Sequence, residues 1–377
     1  MPSQGTGGSD PQGAKPRAMT LKEVASSFVA RATVLAICLP FWAMASLTTL
    51  VRFLQSPRTF FKYKSLEPAP KDPLPGLKHR FVEANGIRFH TVSTGKVVSN
   101  QLMLCVHGFP SMWAEWRNQM AAFRDDYEVV AFDMRGYGDT DKPKGVRNYA
   151  IDHLVDDIGS LIPALGYDKC VLVAHDWGAV AAWGVAYYYT NRIERLVVMA
   201  VPHPVSMNEN LDLEQWAKFW YMFMFQAPLL PELFLTNNEG EQFDAIFKKL
   251  PPGCTPRIPQ EEIDRLKRAF AQPGAATAAV NYYRALFANM FWIPKWKQQR
   301  RVTRRNGVLK VPTLCLYGDR DIAMGTKLLR GMDKYVEDVQ VHVFKDCSHW
   351  IPEERPEEVN QLMRDFLAGK RIAGSLH

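Results

Sequence analysis

Three residues of this sequence have the types and the order needed for a nucleophile, an acid and a base. The first, Asp176, lies between the apolar run Cys170 to Ala174 and a helix-like stretch, and Gly178 follows two positions later. Small residues two before and two after a central residue let a strand and a helix approach closely around a strained turn, which pushes the central side chain outward. The pattern predicts that Asp176 is a nucleophile. The alternative is an aspartate that only caps the helix.

The acid and the base are expected later in the chain. Asp321 follows the apolar run Val311 to Tyr317, and His349 lies near the C-terminus. A nucleophile at such a turn requires this order, with the acid after a later strand and the histidine last. Taken singly, Asp321 could be a turn residue and His349 a packed structural histidine. Together with Asp176 they predict one catalytic site, in which Asp321 orients His349 as a general base.

A carboxylate nucleophile suits attack at a saturated carbon that carries a strained leaving group, and the product is an alkyl ester. Hydrolysis of that ester requires donors for an oxyanion. The run His107 to Pro110 places small and rigid residues after a strand, so we assign the oxyanion hole to the backbone amides of Phe109 and Trp177. His107 itself is expected to be structural, and the polar turn that begins at Asp133 is expected to buttress the turn of Asp176.

The elements that position these residues follow from the hydrophobic pattern. Two alternating runs around Asn85-Gly86 predict a hairpin, and six short apolar runs then alternate with helical patterns. This predicts an α/β fold with a mostly parallel sheet flanked by helices. Residues 205–308 have no comparable strand and contain aromatic-rich helical segments, so they predict a helical cap. The cap separates two core segments, 79–204 and 309–377.

The N-terminal region precedes this body. From Phe28 to Val51 the chain is apolar with one charge, Arg31, and residues 28–52 are long enough to cross a bilayer as a helix. We predict a single-pass membrane anchor, with a cleaved signal peptide and a buried core helix as alternatives. Basic residues on both sides leave its orientation open. Residues 1–27 are predicted to be disordered, and residues 53–78 to be a proline-containing linker.

The composition narrows the classes of partner. The formal net charge is +7, but the basic residues are scattered, which argues against a nucleic-acid-binding surface. The six cysteines are spread singly, without a Cys/His cluster at metal spacing, which is typical of reduced, buried thiols. No metal and no organic cofactor are expected.

Five motifs together resemble the epoxide hydrolases of the α/β-hydrolase superfamily: HGFP (107–110), DMRGYGDTDKP (133–143), HDWGA (175–179), GDRD (318–321) and CSHW (347–350). The resemblance covers residues 79–368, and with the anchor it is closest to the membrane-anchored, single-pass branch. It implies an α/β-hydrolase fold with an inserted cap, and conversion of epoxides to vicinal diols through an aspartyl ester. It also implies two cap tyrosines that bind the epoxide oxygen. Tyr221 and Tyr283 match, and Tyr282 competes for the second role.

Two other functions stay open at this point. A haloalkane dehalogenase-like hydrolase also uses an aspartate nucleophile, although the cap tyrosines favour an epoxide. A membrane-tethered binding protein would have no use for Asp176, Asp321 and His349 together. The aromatic cap and the anchor suggest lipophilic epoxides, such as those of unsaturated fatty acids, and a membrane location, expected to be the endoplasmic reticulum. The physiological epoxide, the regioselectivity and the oligomeric state do not follow from the sequence.

Overall fold

The computed structural model describes residues 21–61, 71–95, 100–255, 257–288 and 304–372. The predicted disordered tail lies mostly outside these residues, as does the middle of the predicted linker. In the described part, the α-helices are α1 (Leu21–Gln55), α2 (Arg117–Phe123), α3 (Ile151–Ala164), α4 (Trp177–Tyr188), α5 (Pro204–Glu209), α6 (Leu213–Lys218), α7 (Trp220–Met224), α8 (Leu230–Thr236), α9 (Glu241–Lys248), α10 (Gln260–Ala271), α11 (Ala275–Phe287), α12 (Ile351–Glu354) and α13 (Pro356–Leu367).

Eight strands form one sheet in the order β1-β2-β4-β3-β5-β6-β7-β8. The strands are β1 (Lys78–Ala84), β2 (Ile87–Ser93), β3 (Leu102–Val106), β4 (Glu128–Phe132), β5 (Cys170–His175), β6 (Ile193–Met199), β7 (Thr313–Gly318) and β8 (Val339–Phe344). The β1–β2 hairpin is antiparallel and turns at Asn85-Gly86, and β2 is antiparallel to β4. The other neighbouring strands are parallel. The predicted mostly parallel sheet is confirmed.

Strand β3 is apolar at every position and the neighbouring central strands are mostly apolar, because both faces of the sheet are covered by helices. On β3, Leu104 packs in the cluster that contains α3 and α4, whereas its neighbour Cys105 packs in the cluster that contains α2 and α13. Alternate side chains of a strand point to opposite faces, so a continuous apolar run supplies both layers. The resulting core fixes the strand ends from which the site residues project.

Helices α5 to α11 lie between β6 and β7 in the chain, and no strand interrupts the described residues from 204 to 288. This is the region predicted as a helical cap. Buried side chains of α9, α10 and α11 share one cluster with the sheet, among them Phe243, Phe270 and Tyr283. The cap is therefore packed onto the core and forms a roof over the carboxyl ends of the strands.

Helix α1 is longer at both ends than the predicted span of 28–52. Within it, residues Ala32–Gln55 are long and apolar enough to cross a membrane. One face of α1 rests on the cap: the indole of Trp42 donates a hydrogen bond to the carbonyl of Phe223 at 3.1 Å, and the Phe41 and Phe223 rings stack at 5.8 Å. The helix is thus attached to the body by contacts as well as by the chain.

Candidate active site

Asp176 occupies the single-residue turn between β5 and α4. Its backbone has φ +48° and ψ −120°, in a region that L-residues rarely adopt. Gly178 makes this turn possible, because a Cβ atom there would lie 2.3 Å from the carbonyl oxygen of Val106 in β3. Ala174, on the other side of the turn, is completely buried. The strain holds the Asp176 carboxylate at the end of the sheet, as the pattern of small residues predicts.

The three residues of the predicted catalytic set lie side by side. The Asp176 Oδ2 atom is 3.4 Å from Nε2 of His349, and Nδ1 of His349 is 2.8 Å from Oδ2 of Asp321. The other oxygen of Asp321 accepts hydrogen bonds from the amides of Ala323 and Met324 at 2.7 and 2.8 Å. Asp321 is therefore fixed by its own loop, and it fixes the ring of His349.

The charges of this set stabilise one another. Burial alone would lower the pKa of His349, but the adjacent Asp321 and Asp176 carboxylates raise it well above its ordinary value. Burial would raise the pKa of Asp176, yet the hydrogen bond and charge of His349 bring it below its ordinary value. The resting site thus contains an ionised Asp176, which is the form that a nucleophile requires.

One backbone amide contacts the Asp176 carboxylate, and a second candidate amide, that of Trp177, follows Asp176 in the chain. The amide of Phe109 donates to Oδ1 of Asp176 at 2.7 Å. Gly108 permits this approach, since a Cβ atom at that position would lie 2.4 Å from the Cβ atom of Asp176. The amide of Trp177 belongs to the first residue of α4, where backbone N–H groups have no partner within the helix. These are the two amides predicted to form the oxyanion hole.

A cavity of about 270 Å³ lies between the Asp176 turn and the cap. Asp176, Tyr221 and Tyr283 all line it, and most of the remaining lining side chains are apolar. The two tyrosine rings meet edge to face at 5.8 Å, and Tyr283 packs in the same manner on Trp177 at 5.1 Å. Burial raises the pKa of both tyrosines above the ordinary value, and the charge of Asp176 adds to the effect. Both hydroxyls are therefore neutral and able to donate.

Tyr282 also lines the cavity, but its hydroxyl donates to the backbone carbonyl of Arg135 at 2.7 Å. This bond holds α11 against the loop after β4. Adjacent residues on a helix point in directions about 100° apart, so only one of the pair can face a common ligand directly. The geometry favours Tyr283 over Tyr282 as the second donor.

Comparisons with known proteins agree with this geometry. A family model described as the α/β-hydrolase fold matches residues 101–356. The chain is 38% identical to epoxide hydrolase 3 of Mus musculus over 76% of this chain and 75% of that protein. It is 35% identical to epoxide hydrolase 2 of Caenorhabditis elegans over 78% of this chain and 81% of that protein. This chain belongs to the epoxide hydrolases of the α/β-hydrolase fold.

Solved structures give the same assignment. An epoxide hydrolase of Bacillus megaterium, crystallised with an inhibitor, is 29% identical and superimposes with a TM-score of 0.65, covering 77% of this chain and all of that chain. An epoxide hydrolase of Vigna radiata is 27% identical, with a TM-score of 0.65 over 78% of this chain and 98% of that chain. The enzyme class predicted from the motifs is confirmed.

His107, close to the site of this epoxide hydrolase, has a structural role. Nδ1 of His107 is 2.8 Å from the carbonyl of Gly108, and Nε2 accepts a hydrogen bond from the amide of Met134. Both ring nitrogens are used, which excludes His107 as a second base in this arrangement.

Asp133 begins the polar turn that the sequence predicts to buttress the turn of Asp176, and its carboxylate contacts neighbouring loops. Its carboxylate accepts from the amides of Trp113 and Asp139 and lies 2.7 Å from Nδ1 of His90. It ties β2 and the loop after β4 to the loop that carries Phe109. The support to the turn is therefore indirect.

The sequence reasoning missed a buried pair beneath the site. Nε2 of His175 is 2.9 Å from the backbone carbonyl of His349, and Nδ1 of His175 is 2.5 Å from Oε1 of Glu115. Glu115 and His175 are both buried. This pair positions the loop of the base. The signal in the sequence was weak, since only the position of His175 next to Asp176 pointed to it.

A second missed contact acts on the same loop. The carboxylate of Glu354 accepts hydrogen bonds from the amide and the hydroxyl of Ser348, the residue before His349. Among the described residues, no three His, Cys, Asp or Glu side chains are grouped so that they could hold a metal ion. The acidic and basic side chains near His349 form ion pairs with one another and hydrogen bonds with the backbone.

Proposed function

We propose that this epoxide hydrolase converts lipophilic epoxides into vicinal diols through a covalent ester on Asp176. One observation carries the proposal: Asp176 and the two tyrosines Tyr221 and Tyr283 line the same cavity, and the pair His349–Asp321 stands beside Asp176. A nucleophile and two neutral hydroxyls that can donate into one cavity suit a substrate that is attacked at carbon while its oxygen gains charge.

In the first step, a carboxylate oxygen of Asp176 attacks a ring carbon of the epoxide. The carbon–oxygen bond of the ring breaks, and the oxygen takes a proton as its charge develops. Tyr221 and Tyr283 are the proposed donors, because both are neutral and line the cavity, Tyr283 as a buried and Tyr221 as a half-buried side chain. Help of this kind is typically worth roughly 10²- to 10⁴-fold in rate. The step leaves an alkyl ester on Asp176 and a free hydroxyl on the substrate.

In the second step, water attacks the carbonyl carbon of the ester, and His349 takes its proton. Esterification removes the charge of Asp176, one of the two carboxylates that raise the pKa of His349. The pKa of the ring must then fall, so His349 gives up a proton, which restores the tyrosine that protonated the epoxide oxygen, and the neutral ring can act as a base. The amides of Phe109 and Trp177 are the proposed donors to the oxyanion. Its collapse breaks the ester bond, and the departing alkoxide takes the proton of the newly formed carboxylic acid, which frees the diol and leaves Asp176 ionised.

The nature of the cavity supports a lipophilic substrate. Its wall contains Phe219, Phe223, Phe287 and Leu286, and its volume of about 270 Å³ suits a compact or folded apolar chain. We further propose that α1 anchors the enzyme to a membrane as a single-pass helix, with the endoplasmic reticulum as its location. A bilayer would concentrate a lipophilic epoxide beside the enzyme.

The proposal is tested by measuring diol formation from three substrates in detergent: an epoxide of an unsaturated fatty acid, styrene oxide and a 1-haloalkane. We expect diol from the fatty-acid epoxide and its loss in Asp176→Ala, with Asp333→Ala as the matched control in an exposed carboxylate between β7 and β8. Turnover of styrene oxide alone would refute the substrate class. Halide release without diol would indicate a dehalogenase, and binding without any turnover would indicate a non-catalytic protein.

A further inference from the structure

Helix α1 forms the outer layer of the cavity wall. Phe219, Phe223 and Phe287 line the cavity on one side. On the other side they share a buried cluster with Val34 and Cys38 of α1. The apolar helix therefore lies directly behind the substrate cavity, with only one layer of aromatic rings between them.

The contact between α1 and the cap extends along the helix. Near one end Val34 is buried against the cap, and near the other end the guanidinium of Arg52 lies 5.9 Å from the ring centre of Phe234 in α8. Eighteen residues of helix separate Val34 from Arg52, which corresponds to ~27 Å at a rise of 1.5 Å per residue. The hydrocarbon core of a bilayer is about 30 Å thick. If α1 enters a membrane while it keeps these contacts, the adjacent cap must contact the same membrane.

The opposite face of α1 is exposed and apolar. Its most exposed large side chains include Leu39, Leu47 and Leu54, each with more than half of its surface accessible. The apolar surface that these residues form is far larger than that of the scattered apolar residues on an ordinary protein surface. Lipid is the environment that such a face requires.

The cap continues this apolar surface. We call the four exposed residues Leu213, Trp216, Trp220 and Leu229 the cap edge; they lie on α6, on α7 and just before α8. Trp216 packs on Phe219 and Phe223, the same rings that contact α1. The cap edge is therefore continuous with the α1 contact.

The residue types and charges of the cap edge suit a membrane. Exposed tryptophans are enriched where proteins meet the headgroup region of a bilayer. The carboxylates that border the cap edge at the start of α6, Asp212 just before the helix and Glu214 in its first turn, are both paired with Lys327, at 3.2 and 2.8 Å. Pairing reduces the repulsion that free carboxylates would experience near lipid phosphates.

The mouth of the cavity lies at this surface. Asn208 and Trp216 line the cavity and are both exposed, so the cavity reaches the outside at the start of the cap edge. We infer that the cap edge lies in the lipid bilayer together with the exposed face of α1, and that the cavity opens into the membrane. A lipophilic epoxide then enters from the lipid without crossing bulk water. The substrate part of this inference rests on the proposed function, whereas the docking of the cap edge does not.

The docking is tested by fluorescence, independently of catalysis. A cysteine is placed at Trp220 of the full-length chain, with the partly exposed Cys254 replaced by serine; the other five cysteines are buried. The matched control is a cysteine at Phe81 in β1, which is exposed to a similar degree, 48% against 41%. Each variant carries an environment-sensitive dye and is reconstituted in dioleoylphosphatidylcholine vesicles, with and without lipid that bears a nitroxide on its acyl chain.

We expect nitroxide lipid to quench the dye at position 220 by about half or more, as for groups 5–10 Å inside the interface. The dye at position 81 should be unaffected. Equal quenching at the two positions, or none at either, would overturn the docking of the cap edge.

Entry from the lipid is tested by activity. The double variant Leu213→Asp, Leu229→Asp should hydrolyse an epoxide that resides in the vesicles about tenfold more slowly than the wild type, because charged side chains are costly in lipid. Its rate on a water-soluble epoxide should be unchanged, and Phe81→Asp should change neither rate. An equal loss on both substrates, or no loss, would overturn the entry route. A wild type that hydrolyses neither epoxide would refute the proposed function instead, and the quenching result would still decide the docking.

Discussion

Replacing Asp321 by asparagine should stop the catalytic cycle after its first step. One oxygen of Asp321 accepts hydrogen bonds from two backbone amides, and the other accepts a hydrogen bond from Nδ1 of His349 at 2.8 Å. In Asp321→Asn the side-chain oxygen still accepts hydrogen bonds from the two amides, so the NH2 group faces Nδ1 of His349. That nitrogen must then become an acceptor, which moves the proton of the ring to Nε2 and leaves no lone pair for water.

The size of the effect follows from this change of tautomer. A corresponding exchange in a serine hydrolase lowers turnover by about 10⁴-fold, which is about 5.4 kcal/mol at 1.36 kcal/mol for each factor of ten. Attack by Asp176 does not use His349 as a base, so the first step should continue. The ester on Asp176 should therefore accumulate to nearly one per enzyme.

The assay combines rapid quenching with mass spectrometry of the peptide that contains Asp176. In Asp321→Asn we expect this peptide to gain the mass of the epoxide while diol formation nearly ceases. Asp333→Asn, in an exposed residue between β7 and β8, should behave as the wild type. A loss of turnover below about tenfold would show that Asp321 does not control the base. Slow turnover without the ester would show that the first step also depends on Asp321, which would refute the reasoning.

Three further predictions concern the cavity, the turn and the base. Tyr283→Phe should lower kcat/KM by about 10²-fold, whereas Tyr282→Phe should keep its rate and lose about 1 kcal/mol of unfolding free energy with its bond to Arg135; equal rate losses would contradict the assignment. Gly178→Ala should lower the unfolding free energy in urea by about 2–3 kcal/mol, because its Cβ atom would lie 2.3 Å from a carbonyl oxygen of β3; an unchanged midpoint would exclude this contact. Burial lowers the pKa of His349, but the Asp321 and Asp176 carboxylates outweigh this and raise the pKa in the folded protein above 6.5. The stability that His349 adds is therefore complete below pH 6.5, and it is lost as the pH rises through the pKa of the folded protein. In urea titrations across this pH range the advantage of the wild type over His349→Gln should shrink as the pH rises, and an advantage that grows would contradict the sign.

The parts of the fold that repeat a local rule could be predicted from the sequence. The parallel strands were recognisable because burial on both faces makes a strand apolar at every position, as in Leu102 to Val106. The turn of Asp176 was recognisable because its geometry restricts neighbouring residues to small types. The order of Asp176, Asp321 and His349 then connected three separate strand ends into one site.

Contacts between distant parts of the chain could not be predicted in this way. Glu115 and His175 are sixty positions apart, and nothing in either segment marks the other as its partner. The choice between Tyr282 and Tyr283 depends on which direction α11 faces. Helix α1 is apolar all round, so its pattern does not reveal which face rests on the cap.

The central claim is that Asp176 forms a covalent ester, and oxygen-18 tests it most directly. The enzyme hydrolyses a lipophilic epoxide under single-turnover conditions in oxygen-18 water. The mass of the peptide that contains Asp176 is then measured by mass spectrometry. Attack of water on the carbonyl carbon of the ester leaves the oxygen of that water in Asp176 and releases an original Asp176 oxygen with the diol, which predicts label in the aspartate and none in the diol after one turnover. Label in the diol and none in Asp176 would mean that water attacks the epoxide directly, and would contradict the account.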